Sequence, residues 1–422
     1  MTQALLEDLQ WRGLVSQASD PDALAAHLEG GSRVLYCGFD PTADSLHIGS
    51  LVPLLTLRRF QLAGHAPIAL VGGATGLIGD PSFKAAERML NEREIVEGWV
   101  ERLRAQVSRF VDLDAGARVA NNLDWTRDLD VISFLRDVGK HFSVNDMMRK
   151  ESVRERLARE GSGISYTEFS YMLLQSMDYV ELARRHDCTL QIGGSDQWGN
   201  ITAGMELVRR TLGRHVHALT LPLVTKADGS KFGKTESGTV WLDAGRTSPY
   251  SFYQFWLNTA DADVGRFLRY FTFLSRGEIE ALDRETEDAP EKRVAQRALA
   301  ESVTQLVHGD EGCASASRIT EALFSGEIAA LDARDLEQLA LDGLPSCPLE
   351  SGALKVGQAL TAMGLAKSNS AAMQLIKGGA VSVNGEAVTE PSAAVADFTA
   401  LPGGYHLVRR GKRNWGLVTP GG

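Results

Sequence analysis

Apolar runs that end in glycine and polar residues recur along the first half of the chain. Val34-Leu35-Tyr36 reads as a buried strand and is followed by a turn rich in Gly, Asp and Pro. Leu46 then opens a helical pattern through Leu51, Leu54, Leu55, Leu57 and Phe60, with Asp44 and Ser45 as the expected cap residues. Residues 67–73 form a second strand-like run and lead into a glycine-rich loop at 74–82, with Lys84 and Arg88 beyond it. A third run, Cys188-Thr189-Leu190-Gln191-Ile192, passes into Gly193-Gly194-Ser195-Asp196-Gln197. Helical periodicity covers about 91–111, about 167–185 and the stretch after Asn200 to about Leu212. Short strands are expected at 119–122 and 219–224. Clusters of glycine and polar residues at the C-terminal ends of strands are how an open parallel α/β sheet builds one crevice.

The second half changes character. From residue 248 to about 324 the pattern is helical throughout, and the aromatics of 249–256 fit a core better than a ligand site. Residues 326–352 are punctuated by Gly326, Gly343, Pro345, Pro348 and Gly352 and read as a linker. Two short helices (354–363 and 368–376), a hairpin over 381–388 with an Asn-Gly turn, and a last strand at 406–412 complete the chain. The expected architecture is α/β. It has a Rossmann-like doubly wound parallel sheet in 1–240, an all-helical domain at 247–325, the linker, and a small α+β domain at 353–422.

With 44% hydrophobic and 23% charged residues, 422 in all, the composition is that of a globular protein large enough for two or three domains. No apolar run approaches membrane-spanning length and the start lacks a basic-then-apolar leader, so a cytoplasmic protein with no membrane partner is expected. The four cysteines form no close pair, which offers neither a zinc site nor a disulfide frame. The net charge of −10 speaks against a polyanionic partner until it is divided. Residues 353–422 carry seven basic side chains (Lys355, Lys367, Lys377, Arg409, Arg410, Lys412, Arg413) against three acidic ones, +4 in an otherwise acidic protein. Such a tail suits a polyanion such as RNA.

The candidate chemistry sits at the strand ends. A helix start beside His47 and Gly49 has unpaired N–H groups that suit a phosphate, though the same unit is often only structural. Tyr171, Gln175 and Asp178 fall at i, i+4 and i+7 and share a helix face, either a hydrated surface or the wall of a site. The loop 226–238 places Lys231 and Lys234 among glycines and serines, either as a mobile positive clamp or as a solvated turn.

Taken together, these segments resemble the bacterial tyrosyl-tRNA synthetases, members of the class I aminoacyl-tRNA synthetases. His47-Ile48-Gly49-Ser50 is similar to the class's His-Ile-Gly-His signature, and Lys231-Phe232-Gly233-Lys234-Thr235 to its Lys-Met-Ser-Lys-Ser signature. More specific are the phrases 36–48, 71–82, 167–171 and 191–202, and the tail resembles an RNA-binding domain of ribosomal-protein type. The resemblance implies that ATP, with Mg2+, converts tyrosine to an adenylate, and that the tyrosyl group then passes to the 3′ end of tRNA. It implies that Tyr36 and Asp178 meet the phenol, that Asp80, Tyr171 and Gln175 hold the ammonium, and that Gln197 lies near the carboxylate. ATP would be met by Cys37, Gly38, Asp40, Gly49, Ser50, Gly194 and Asp196, with the ribose at Cys37 and Asp196. Catalysis would fall to Thr42, His47, Lys84, Arg88, Lys231, Lys234 and Thr235, with no tightly held protein-ligated metal. The resemblance also implies a homodimer with its interface in about 120–180. Ser50 departs from the signature, because a hydroxyl donates but carries no charge. A tryptophan-activating enzyme and a catalytically inactive RNA-binding relative are the other readings; the Tyr36–Asp178 pair and the intact His47, Lys231 and Lys234 speak against them.

Overall fold

Val34–Phe39 (β2) is an interior strand of the sheet and is mostly buried on both faces, which is why it reads as an apolar run rather than an alternating one. It pairs in parallel with Ala66–Val71 (β3) and with Cys188–Gly194 (β5), so that Tyr36 lies between Ile68 and Gln191. Arg118–Asn121 (β4) extends the sheet beyond β3, and His217–Leu221 (β6) extends it beyond β5. A two-residue antiparallel edge, Gln17–Ala18 (β1), closes the β6 side; the sequence pattern gives no sign of so short a strand. The order is β1-β6-β5-β2-β3-β4. Chain order reverses between β5 and β2, so the connections leaving their adjacent C-terminal ends run in opposite directions and leave a crevice, the expected ligand position in a doubly wound sheet.

The protein is described here from a computed structural model covering residues 2–80, 92–150, 153–154, 157–158, 164–230, 232–235, 238–349 and 354–421. It divides into two compact units, 1–240 with 266–274, and 241–265 with 275–422. No helix among the described residues is long and apolar enough to cross a membrane.

In the second unit, Pro249–Leu257 packs on the long helix Val294–Ser325, which kinks at Gly309. The stretch expected to be a linker is built into this unit. Ala333–Gln338 is helical and Ser346–Pro348 pairs in parallel with the terminal strand Asn414–Thr419. Leu336 and Leu339 share a core with Ile319, Leu407, Trp415 and Leu417, so the glycines and prolines punctuate turns between packed elements. The tail has the expected helices, Val356–Ala362 and Asn369–Lys377, and an Asn384-Gly385 turn with both residues at positive φ. Its last strand is not His406–Arg410 but Asn414–Thr419, joined to it by a tight basic hairpin.

Candidate active site

A cavity of about 210 Å³ opens at the β2/β5 crevice. Tyr36, Cys37 and Gly38 reach it from β2, and Ile192, Gly193 and Gly194 from β5. The helix Tyr166–His186 supplies its far wall with Tyr171, Gln175 and Asp178. The polar face of that helix is therefore a site wall and not a hydrated surface; Tyr171 and Asp178 are buried. Asp40, Asp80 and Gln197 complete the set of expected residues that the fold brings together here.

At one end, the Tyr36 hydroxyl is buried with no partner among the described residues, and its ring is fixed edge-on against Tyr179 at 5.2 Å. Tyr179 is itself anchored by its hydroxyl, which donates to the His217 carbonyl at 2.7 Å. The nearby Asp178 carboxylate accepts from Asn122 Nδ2 at 3.0 Å and from Trp125 Nε1 at 2.9 Å. Burial raises its pKa to about 7 despite these two bonds, and burial together with the Asp178 charge lifts Tyr36 well above the usual phenol value. A ligand hydroxyl between the two would satisfy an orphaned phenol and a carboxylate at once.

The other end is acidic. Tyr171 donates to Asp40 Oδ2 at 2.7 Å and Thr75 to Asp40 Oδ1 at 2.6 Å, while Gln197 Nε2 donates to Asp80 Oδ2 at 2.8 Å and to Asp196 Oδ2 at 3.2 Å. The buried Gln175 Oε1 has no partner among the described residues. No lysine or arginine lines the cavity among the described residues, so its field favours a cation such as an ammonium. Gly72 makes the Asp40–Thr75 contact possible, because a Cβ there would come within 2.0 Å of Asp40 Oδ1. Cys37 is buried and its thiol is pushed up to about 12, so it stays protonated and donates weakly to the Gly38 carbonyl at 3.8 Å.

The turn that carries His47 starts differently from the sequence expectation. The helix proper runs Leu51–Leu62 and is preceded by a 3₁₀ turn, Ile48–Ser50. Asp44 pairs with Arg102 and Ser45 bonds within the loop and to Gln106, so neither caps. The cap is His47, whose Nδ1 accepts the Gly49 N–H at 3.0 Å. Because Nδ1 accepts this bond, the ring proton sits on Nε2, which can donate, and desolvation lowers the His47 pKa in the same sense. Thr42 is exposed, and Ser50 makes no side-chain cap bond.

The lysine loop docks on this turn through its main chain. Ile48 N–H donates to the Val240 carbonyl at 2.9 Å, and Val240 N–H to that of Gly233 at 3.0 Å. Gly233, at φ +79°, lies so close to Ile48 that a Cβ would come within 2.6 Å of its Cγ2. Phe232 stacks on Phe271 at 5.3 Å and meets Phe267 edge-on at 5.1 Å. Lys234 is exposed on the two-residue strand that pairs with Gly238–Thr239. Lys84, Arg88, Lys231 and the Thr235 side chain lie outside the described residues.

Polar lining residues outside the sequence-based set include Thr75, Asn122 and Gln191, and Trp125 acts from behind the wall through its bond to Asp178. Gln191 had a visible signal as a buried amide in an apolar strand. Asn122 and Trp125 had none, because the carboxylate they hold lies more than fifty residues further along the chain.

Residues 29–325 match the family model for class I tRNA synthetases (W and Y), and residues 335–418 match that for the tyrosine–tRNA ligase SYY-like C-terminal domain. The tyrosine–tRNA ligase of Aliivibrio fischeri (strain MJ11) is 60% identical over 99% of this chain and 98% of its own. That of Chromobacterium violaceum is 58% identical over 99% of each. Among solved structures, a C-terminally truncated mitochondrial tyrosyl-tRNA synthetase from Aspergillus nidulans superposes with a TM-score of 0.68 at 29% identity, covering 76% of this chain and 94% of that one. A tryptophanyl-tRNA synthetase from Encephalitozoon cuniculi shares the fold at 14% identity, with a TM-score of 0.55 over 74% and 91% of the two chains. With a family model over most of its length and relatives this similar from end to end, the chain belongs to the tyrosine–tRNA ligases of the class I aminoacyl-tRNA synthetases.

Proposed function

We propose that tyrosine lies in the β2/β5 cavity with its phenol between Tyr36 and Asp178 and its ammonium at Asp80, Tyr171 and Gln175. The observation that carries this orientation is the pair of unsatisfied polar atoms, Tyr36 Oη and Gln175 Oε1, on the wall of one buried cavity. Asp40, tied to Tyr171 and Thr75, adds to the acidic end, and Gln197 is within reach of the carboxylate. ATP enters as its Mg2+ complex, a substrate, with Cys37, Gly38, Gly194 and Asp196 toward the ribose and Gly49 and Ser50 toward the triphosphate.

The tyrosine carboxylate is already a nucleophile, so the first step needs no general base. Its oxygen bonds to the α-phosphorus as the bond to pyrophosphate breaks, and negative charge accumulates on the leaving group. Thr42 and the Nε2–H of His47 offer neutral donors there, and Lys84, Arg88, Lys231 and Lys234 offer charge. A ribose hydroxyl at the tRNA 3′ end then attacks the adenylate carbonyl and releases AMP. The basic tail holds the tRNA: Lys355, Lys367, Lys377, Lys412 and Arg413 are exposed, and Arg409 and Arg410 half-buried. A cytoplasmic location is part of this proposal. The test is ATP–pyrophosphate exchange with each of the twenty amino acids, with and without a chelator. Exchange with tyrosine alone, abolished by chelation, is expected. Exchange driven by tryptophan, or none at all, would overturn the assignment.

We also infer a homodimer. Seven of the fifteen exposed large hydrophobics among the described residues fall between 131 and 166, including Val131 and Ile132 at 70% and Tyr166 at 71%. Apolar surface concentrated in this way marks an interface. Ile132→Glu is expected to shift sedimentation from dimer to monomer; a wild-type protein that sediments as a monomer at micromolar concentration would remove the inference.

A further inference from the structure

The lysine loop is seated on residues 266–274, a segment that belongs to the first unit. Phe232 packs on Phe267 and Phe271, both buried. At the other root of the loop, Arg266 Nη2 donates to the Thr225 carbonyl at 2.6 Å. The far end of the segment is gripped by two buried arginines. Arg59 Nη2 donates to the Thr272 carbonyl at 2.6 Å and to that of Arg269 at 3.4 Å. Arg12 Nη1 donates to the same two carbonyls, at 3.3 and 3.2 Å, and its Nη2 to the Leu274 carbonyl at 2.8 Å. Arg59 also lies over the Phe273 ring at 4.6 Å. The Arg269 carbonyl is one of those left open where the helix Asp261–Phe271 ends, a place that favours cations.

Two buried cations are a costly way to finish a helix. Asp8 accepts from Arg12 Nε at 2.8 Å, but Arg59 Nη1 is buried without a partner among the described residues. Burial and the Arg12 charge lower the Arg59 pKa to about 9. Arg59 belongs to the helix Leu51–Leu62, whose start follows the turn with His47. One helix therefore carries the His47 turn at its start and, near its end, grips the bed of the lysine loop. We propose that Arg59, supported by Arg12, is a positioning residue for Lys234: it fixes residues 266–274 relative to the His47 turn, and Phe232 passes that position to the loop. This rests on Lys234 meeting the pyrophosphate. The guanidinium suits the task because its planar fork holds two carbonyls in one fixed arrangement, which a single ammonium does not.

The test uses the full-length enzyme with Arg59→Lys, which keeps the charge but loses the fork, and Arg59→Met, which loses both. Stopped-flow tyrosyl-adenylate formation is expected to slow by roughly 10-fold in the first and by up to about 100-fold in the second, with tyrosine affinity within about twofold of wild type. Phe232→Leu probes the same link from its half-buried end, so the question is still decided if Arg59→Met fails to fold. It should slow the same step without weakening tyrosine binding. A double-mutant cycle separates positioning from a general loss of structure. In a Lys234→Ala background each substitution should cost no more than about threefold further, because the group it places is gone. Losses that recur in full in that background overturn the proposal. So do wild-type rates in the Arg59 variants or in Phe232→Leu beside a slow Lys234→Ala enzyme. A wild-type rate in Lys234→Ala itself is a different failure: it removes the lysine's role at the pyrophosphate, and the positioning role with it.

Discussion

Asp178→Asn is expected to lower kcat/KM for tyrosine activation by about 10²- to 10³-fold while leaving the KM for ATP within about twofold. Both carboxylate oxygens of Asp178 accept an N–H, one from Asn122 and one from Trp125. An amide in the same place must turn its NH2 onto one of those donors and loses the charge that a phenol hydroxyl would bond to. The effect belongs to binding, because the phenol lies at the far end of the substrate from the reacting carboxylate. A pH signature accompanies it. Burial raises Asp178 from the usual 3.8 to about 7 in the empty protein, and a ligand phenol bonds more strongly to the ionised form than to the protonated one. Tyrosine affinity should therefore climb with pH up to about 7 and then level off, with a proton released on binding near or below that point. For the empty protein the sign is opposite. Between about 4 and 7 the folded state keeps a proton that the unfolded chain has lost, so this group's contribution to stability falls as pH rises through that window and is flat above it. Calorimetric titration with tyrosine from pH 5.5 to 8.5, in two buffers of different ionisation enthalpy, reads both the affinity and the proton. Affinity independent of pH in the wild-type enzyme would show that Asp178 is ionised throughout and does not face the phenol as described.

What could be read from the chain ahead of its structure followed from period and punctuation. Tyr171, Gln175 and Asp178 share a face because a helix repeats every 3.6 residues, and the face proved to be a cavity wall. The strand ends Tyr36–Gly38 and Ile192–Gly194 converge because a doubly wound sheet has one place where its order reverses. What escaped was set by contacts between distant segments. Asp44 and Ser45 are good caps by type, but Arg102 and Gln106 engage them from another helix, and His47 caps instead. Residues 326–352 have a linker's glycines and prolines, yet Ser346–Pro348 is a strand because Asn414–Thr419 lies beside it. Asn122 and Trp125 are ordinary residues until the fold sets them against Asp178. Composition carries none of these pairings.

Lys234→Ala is expected to slow tyrosyl-adenylate formation by about 10²- to 10³-fold, with tyrosine affinity changed by less than about twofold. The base of its loop is fixed three times over. Phe232 stacks on Phe271, Gly233 abuts Ile48, and the Ile48–Val240–Gly233 main-chain bonds tie the loop to the turn that holds His47. Lys234, by contrast, is exposed. An anchored base with a solvated cation one residue further on suits a charge that need only meet the pyrophosphate as its bond breaks. Such an interaction is stronger in the transition state than in the ground state and so appears in the rate. Lys234→Arg should recover part of the loss, because the charge returns with a different reach. Stopped-flow measurement of adenylate formation alongside equilibrium tyrosine binding separates the two effects, and equal losses in both would reject a transition-state role. Combining Lys234→Ala with Asp178→Asn gives a sharper check. If Asp178 acts on the phenol and Lys234 on the pyrophosphate, the two losses in log kcat/KM should add to within about 0.3 log unit, since the groups act on opposite ends of the reacting pair and share no partner. A markedly smaller combined loss would mean that the lysine loop already senses whether the phenol is bound, and the two ends of the site would then work as one unit.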